Sequence, residues 1–163
     1  MAIIKKSSAL HAIGFAWLIA GCLDITSAIV IWTLRGVPLV RGFQGIASGL
    51  IGRESALQGG MMTAALGLAL HFFIMLCAVI IFYLASSIFP LLARRPILSG
   101  AVYGVLVYLV MYWMVVPLSR IGPRPHSVSN DAIAILIHIF LIGLPIALIL
   151  RRLSPNPIHQ THE

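Results

Sequence analysis

Residues 61–88 read MMTAALGLALHFFIMLCAVIIFYLASSI. The stretch contains no Lys, Arg, Asp or Glu, and it exceeds the roughly 20 helical residues needed to cross a bilayer. Three more runs of the same kind lie near residues 10–34, 98–117 and 132–150. No alternating barrel pattern is present, so helices are the spanning element. The expected fold is an all-α integral membrane protein with four transmembrane helices in one bundle. Residues 1–152 form a single domain on this reading, and 153–163 form a polar, flexible tail.

Composition points the same way. Of 163 residues, 60% are hydrophobic and only 9% charged. A water-facing surface usually needs about a quarter charged residues, so lipid is the natural solvent of this chain. The net charge of +7 does not indicate nucleic-acid binding, because the basic residues stand singly or in pairs at the ends of apolar runs. Cys22 and Cys77 lie inside such runs and indicate neither a disulfide framework nor a zinc site. Ile19-Ala20-Gly21-Cys22 resembles a lipoprotein cleavage box, but the chain stays apolar from Ile25 to Leu34, unlike the polar start of a mature lipoprotein.

Lys5, Lys6, Arg94, Arg95, Arg151 and Arg152 fall on one side of the expected spans, and Arg35, Arg41, Arg53, Arg120 and Arg124 on the other. The first side holds more positive charge per residue of loop, which makes both termini cytoplasmic. Pro90 and Pro96 bracket the turn at Arg94-Arg95, and Ile121–Pro125 breaks the chain after the third span. Ser127, Ser129, Asn130 and Asp131 offer capping side chains for the fourth.

Asp24 is the most informative residue. An ionisable group in mid-membrane costs at least ~2.5 kcal/mol, so it should face protein or water. Ala20, Gly21, Ser27 and Ala28 share its helix face, with Trp17 a turn away, while Phe15, Leu18, Ile19 and Ile29 point elsewhere. His71 aligns with Ala64, Gly67, Met75 and Ala78; His138 aligns with Asp131, Ala134, Ile142 and Pro145; Tyr108 and Tyr112 are one turn apart. Measured from the loop side, Asp24 and His71 come out ~15 Å deep, His138 ~9 Å and Tyr112 ~8 Å. Asp24, His71, Tyr112 and His138 thus form a candidate intramembrane proton or cation site. The competing reading makes Asp24 a helix-ordering hydrogen-bond partner and the histidines satisfied core residues.

No local spacing supports a metal site, no cofactor motif occurs, and His159 and His162 belong to the polar tail. Asp24 is the only carboxylate deep in a span, and Ser86 and Ser87 differ in depth from His71, so no catalytic residues are assigned and enzyme function is unsupported.

In the first loop, residues 38–58 read PLVRGFQGIASGLIGRESALQ. Leu39, Phe43, Ile46, Leu50 and Leu57 recur at helical spacing, Pro38 suits a first turn and Gly59-Gly60 a stop. The expected element is an amphipathic helix of about 20 residues in the outer interface, bent or partly unwound near Arg53-Glu54. Gly42, Gly45, Gly49 and Gly52 line one face at a cost of roughly 4 kcal/mol relative to alanine. Close approach of another backbone would offset that, and Gly45 and Gly49 make a GxxxG pair. A mobile loop and a re-entrant segment are the alternatives.

His71 stands in a long second span that ends at Phe89-Pro90. Gly100 and Gly104, small enough for helix packing, open the third, and Pro117-Leu118 leads to a proline-containing loop. Ile137-His138 in the fourth is followed by Arg151-Arg152. Over roughly residues 65–152 this layout resembles the YagU-like family of uncharacterised bacterial inner-membrane proteins, from which the first loop departs. The resemblance implies a four-helix inner-membrane protein and supplies no activity.

The first functional expectation is an interaction or scaffold protein, homo-oligomeric or accessory to a membrane complex, with the bilayer and other membrane proteins as partners. The alternative is a small oligomeric proton- or cation-coupled transporter or channel built on the Asp/His/Tyr cluster.

Overall fold

Proline and glycine set where the helices of this chain stop. The computed structural model describes residues 2–125 and 127–154, so the tail beyond Ser154, with His159 and His162, lies outside the described residues. Helix α1 covers Ala2–Leu34. It cannot continue because Gly36 turns the chain at φ 68° and Pro38 follows. α2 is Leu39–Ile51 and α3 is Arg53–Gln58. The helix expected over 38–58, bent or partly unwound near Arg53-Glu54, is broken beside that point at Gly52, whose backbone (φ 85°, ψ 157°) lies where side-chain-bearing residues rarely go. α4 is Gly60–Ile88 and ends at Phe89, held extended by the proline after it. α5 is the short Pro90–Arg94, and α6 is Pro96–Val110. A π-helical turn, Met111–Val115, and a last turn, Val116–Leu118, complete that rod. After the loop come α7 (Val128–Ile137), a second π-helical turn (His138–Gly143) and α8 (Leu144–Leu153).

Four of the resulting rods are long and apolar enough to cross a membrane: Ser8–Leu34, Gly60–Ile88, Pro96–Leu118 and Val128–Leu153. No strand occurs among the described residues. The fourth begins at Val128 rather than at the expected 132. Ser127 is extended and marks the start, but its side chain makes no capping bond; its Oγ lies 3.1 Å from Ser129 Oγ instead. The polar residues 129–131 are thus the first helical turn and not a loop before it.

The two ends of the molecule differ. Ser8 Oγ donates to Leu153 O at 3.4 Å, so the first and last rods meet there. At the other end, called the loop end below, Arg35 Nη2 donates to Asn130 Oδ1 (2.9 Å) and Arg120 N–H to Gly49 O (3.0 Å).

Packing follows the small residues. Ala12, Ala16 and Ala20, one turn apart and fully buried, form a smooth strip on α1 against Ile142, Ile146 and Leu150 of the fourth rod. Gly100 and Gly104 of α6 receive the second π turn. A side chain at Gly104 would begin 2.6 Å from Ile139 Cα, and one at Gly100 would begin 2.9 Å from Gly143 O. Such backbone-to-backbone crossings are how helices associate where lipid removes the hydrophobic drive. α2 lies on α4 in the same manner, but the notch belongs to α4: a Cβ on Gly67 would collide with Phe43 O.

Within the chain, the glycine face of α2 meets side chains or open space. Gly42 sits against the Trp32 ring, Gly49 makes ordinary contact with Ser119, and a side chain on Gly45 would meet nothing within 4 Å. Gly52 is the break between the two helices.

Candidate functional site

His71 is held by two facts of local geometry. Its Nε2 lies 3.0 Å from Gly21 O on α1, and a carbonyl only accepts, so Nε2 carries the hydrogen. Gly21 permits this approach because the Phe72 ring occupies the place of its side chain, 2.7 Å from where a Cβ would stand. Trp17 locks the same crossing by donating Nε1–H to Phe72 O at 2.7 Å, with its ring edge-on to Phe72.

With Nε2 committed, Nδ1 is left facing Asp24 Oδ2 at 3.9 Å. That is ion-pair range and too long for a direct hydrogen bond. A bare imidazole nitrogen and a carboxylate both accept, so they repel unless a proton resides on one of them. The pair therefore has two workable states, imidazolium with carboxylate or neutral ring with carboxylic acid. The His71 side chain is 9% exposed and that of Asp24 22% exposed.

His138 repeats the logic on the fourth rod. Its Nδ1–H donates to Ala134 O at 2.8 Å, which leaves Nε2 to take up or give a proton. Asp24 lies within electrostatic reach of both histidines. Because the fourth rod starts at Val128, His138 is about ten residues, ~15 Å, in from the loop end. That is level with Asp24 and His71 and deeper than the expected ~9 Å.

Tyr108 and Tyr112 stack at 4.9 Å, and each presents its ring to His138, at 5.8 and 6.1 Å. The Tyr108 hydroxyl interacts with Asp131 and Trp113. Tyr112 lies within electrostatic reach of Arg124, Asp24, Asp131 and Arg35. A polar series thus runs from the Asp24 level to charged groups at the loop end.

The two π turns place its middle members. Pro117 and Pro145 lack the N–H that would bond four residues back, and each ring crowds the carbonyl there. The chain responds by widening the preceding turn: Val116 N–H bonds to Met111 O and Leu144 N–H to Ile139 O, five residues back in each case. Tyr112 lies in the first widened turn and His138 opens the second.

The expected site residues fall into two contacting pairs, Asp24 with His71 and Tyr112 with His138, and Asp24 lies within electrostatic reach of His138. Tyr108 and Asp131 stand beside the second pair. Their signal was present, since Asp131 shares a helix face with His138 and Tyr108 with Tyr112, but a carboxylate so near a helix start reads as a cap. Gly100 and Gly104 pack within the chain, while Gly42, Gly45, Gly49 and Gly52 lie away from the cluster. Among the described residues no group of three or more His, Cys, Asp or Glu side chains is gathered closely enough to hold a metal ion. Ser86 Oγ is bonded to Tyr83 O of its own helix. No family model, curated protein or solved structure matches this chain.

Proposed function

We propose that this is a bacterial inner-membrane protein with four spans in one bundle, both termini cytoplasmic and α2 at the outer interface. Its working part is a proton- or cation-exchanging site formed by Asp24, His71, His138 and Tyr112. The observation that carries the reading is the His71–Asp24 pair: Nε2 is fixed on Gly21 O, and Nδ1 stands 3.9 Å from Asp24 Oδ2. A purely structural pair would be drawn together into a direct hydrogen bond, which is worth about 0.6 kcal/mol on average between membrane helices. A gap at this distance, next to a partly exposed carboxylate, suits a site that takes and releases a charge. The series through His138, Tyr112 and Asp131 supplies the route toward the outer side.

The scaffold reading has less support. Gly100 and Gly104 are occupied inside the chain, and Gly42 lies under Trp32. Transport is tested in liposomes under an imposed pH or cation gradient. The wild type should carry a flux, and Asp24→Asn should abolish it while inserting normally. No flux from the wild type, or an equal flux from the variant, would remove the reading.

A further inference from the structure

An apolar groove of about 460 Å³ lies between α2, α4 and the first π turn. Gly45 and Gly49 line it on α2, Leu70 and Ile74 on α4, and Val115 on the third rod. Two exposed cations, Arg41 and Arg124, complete it, and no acidic side chain lines it among the described residues. We infer that this groove binds one anionic phospholipid, with an acyl chain along the glycine face and the headgroup phosphate held by Arg41 and Arg124.

Shape, depth and charge each support that occupant. The volume is in the range of small-ligand sites and leaves room for about one acyl chain. It exists because the helix carries glycine: a side chain at Gly45 would meet nothing within 4 Å and would simply fill the space. Glycine is a poor helix former, so its presence on this face calls for something that uses the gap. Ile74 is ~20 Å in from Gly60 along α4, comparable with one leaflet of a ~30 Å hydrocarbon core. The lining is apolar apart from Ser119 and the two arginines, and these cations are exposed, where a headgroup would be. Arg41 is already positioned, with Nη1 donating to Gln44 Oε1 (3.2 Å) and Leu57 O (3.0 Å). A guanidinium has five N–H donors, so others are left for phosphate oxygens, with which it pairs well. A zwitterionic lipid would place its own cation near the same two arginines, which gives the groove a preference for net negative charge.

The groove shares Arg124 with the electrostatic surroundings of Tyr112, so its test reads lipid retention rather than flux. Protein in mild detergent is offered equimolar phosphatidylglycerol and phosphatidylcholine and read by native mass spectrometry. One phosphatidylglycerol per protomer should be retained in at least ~10-fold preference. Arg41→Gln with Arg124→Gln should bring that preference close to equality, and Gly45→Leu should remove the adduct of either lipid. Equal retention of the two lipids by the wild type would overturn the inference. So would a double arginine variant that keeps the wild-type preference. If Gly45→Leu instead turns a dimer into a monomer, a second copy covers the groove and the lipid inference is again overturned. Should Gly45→Leu fail to fold, the wild-type competition and the arginine pair still decide.

Discussion

At the scale of single residues, chemistry and packing are separable. His71 owes its tautomer to Gly21 O, and Gly21 owes its exposed carbonyl to the Phe72 ring that fills its side-chain position. Glycines in this chain do opposite jobs, and substitution should distinguish them. At Gly104 a new Cβ would press on Ile139 Cα, so Gly104→Val should destabilise by about 1–3 kcal/mol, read as a lower thermal midpoint in detergent. At Gly45 nothing lies within 4 Å, so Gly45→Ala should gain up to about 1 kcal/mol of helix propensity and raise that midpoint. A loss at Gly45 equal to that at Gly104 would mean that the α2 face is closely packed. Much at this scale can be read from spacing alone: the small residues around Asp24 point to its buried face, and counting from span ends puts Asp24 and His71 level. What spacing does not reveal is which glycine receives a backbone. Gly67 sits in an unbroken apolar run, and only the path of α2 over α4 makes it a notch.

At the scale of elements, two prolines and one glycine redirect the chain. Pro117 and Pro145 are easily noted in the sequence, but their effect falls upstream, in the widened turns that carry Tyr112 and His138. A proline in a span signals a defect without saying whether the helix kinks or widens, so the π turns are not legible from residue type. Pro145→Ala restores the missing N–H and should let an ordinary α turn close. That shifts the register on one side of the turn by about 100° and moves His138 out of line with Asp24. The expected result is a protein that folds and inserts but loses roughly ten- to hundredfold in flux. An unchanged flux would show that the widened turn is incidental. Gly52→Ala probes the other break. With φ at 85° and ψ at 157°, any side chain is strained there, and the substitution should cost about 1–3 kcal/mol. Arg53 and Glu54 interrupt the apolar repeat and mark a bend in the sequence, but spacing does not single out Gly52 as the residue that makes it.

At the scale of the whole molecule, the four apolar rods were legible from composition and length because the bilayer sets both. The start of the fourth was not, because residues 127–131 are polar except for Val128 and look like loop. Moving that start to Val128 changes the functional picture, since it brings His138 level with Asp24 and His71. The ends of the chain also carry a prediction. Ser8 and Leu153 meet at one end, and Arg35, Asn130, Arg120 and Gly49 at the other. Cysteines placed at Ser8 and Ser154 should therefore react with impermeant reagents from one side of the membrane, and cysteines at Gly36 and Gly122 from the opposite side. Mixed reactivity within either pair would contradict this arrangement of the rods.

The most direct test of the central claim is the ¹⁵N resonance of the His71 ring in protein reconstituted into bilayers. The account predicts Nε2 protonated and hydrogen-bonded at every pH at which the protein is folded. The Nδ1 signal should respond to Asp24→Asn, because Asp24 Oδ2 stands 3.9 Å from it. A ring protonated on Nδ1 alone, or an Nδ1 signal indifferent to Asp24→Asn, would contradict it.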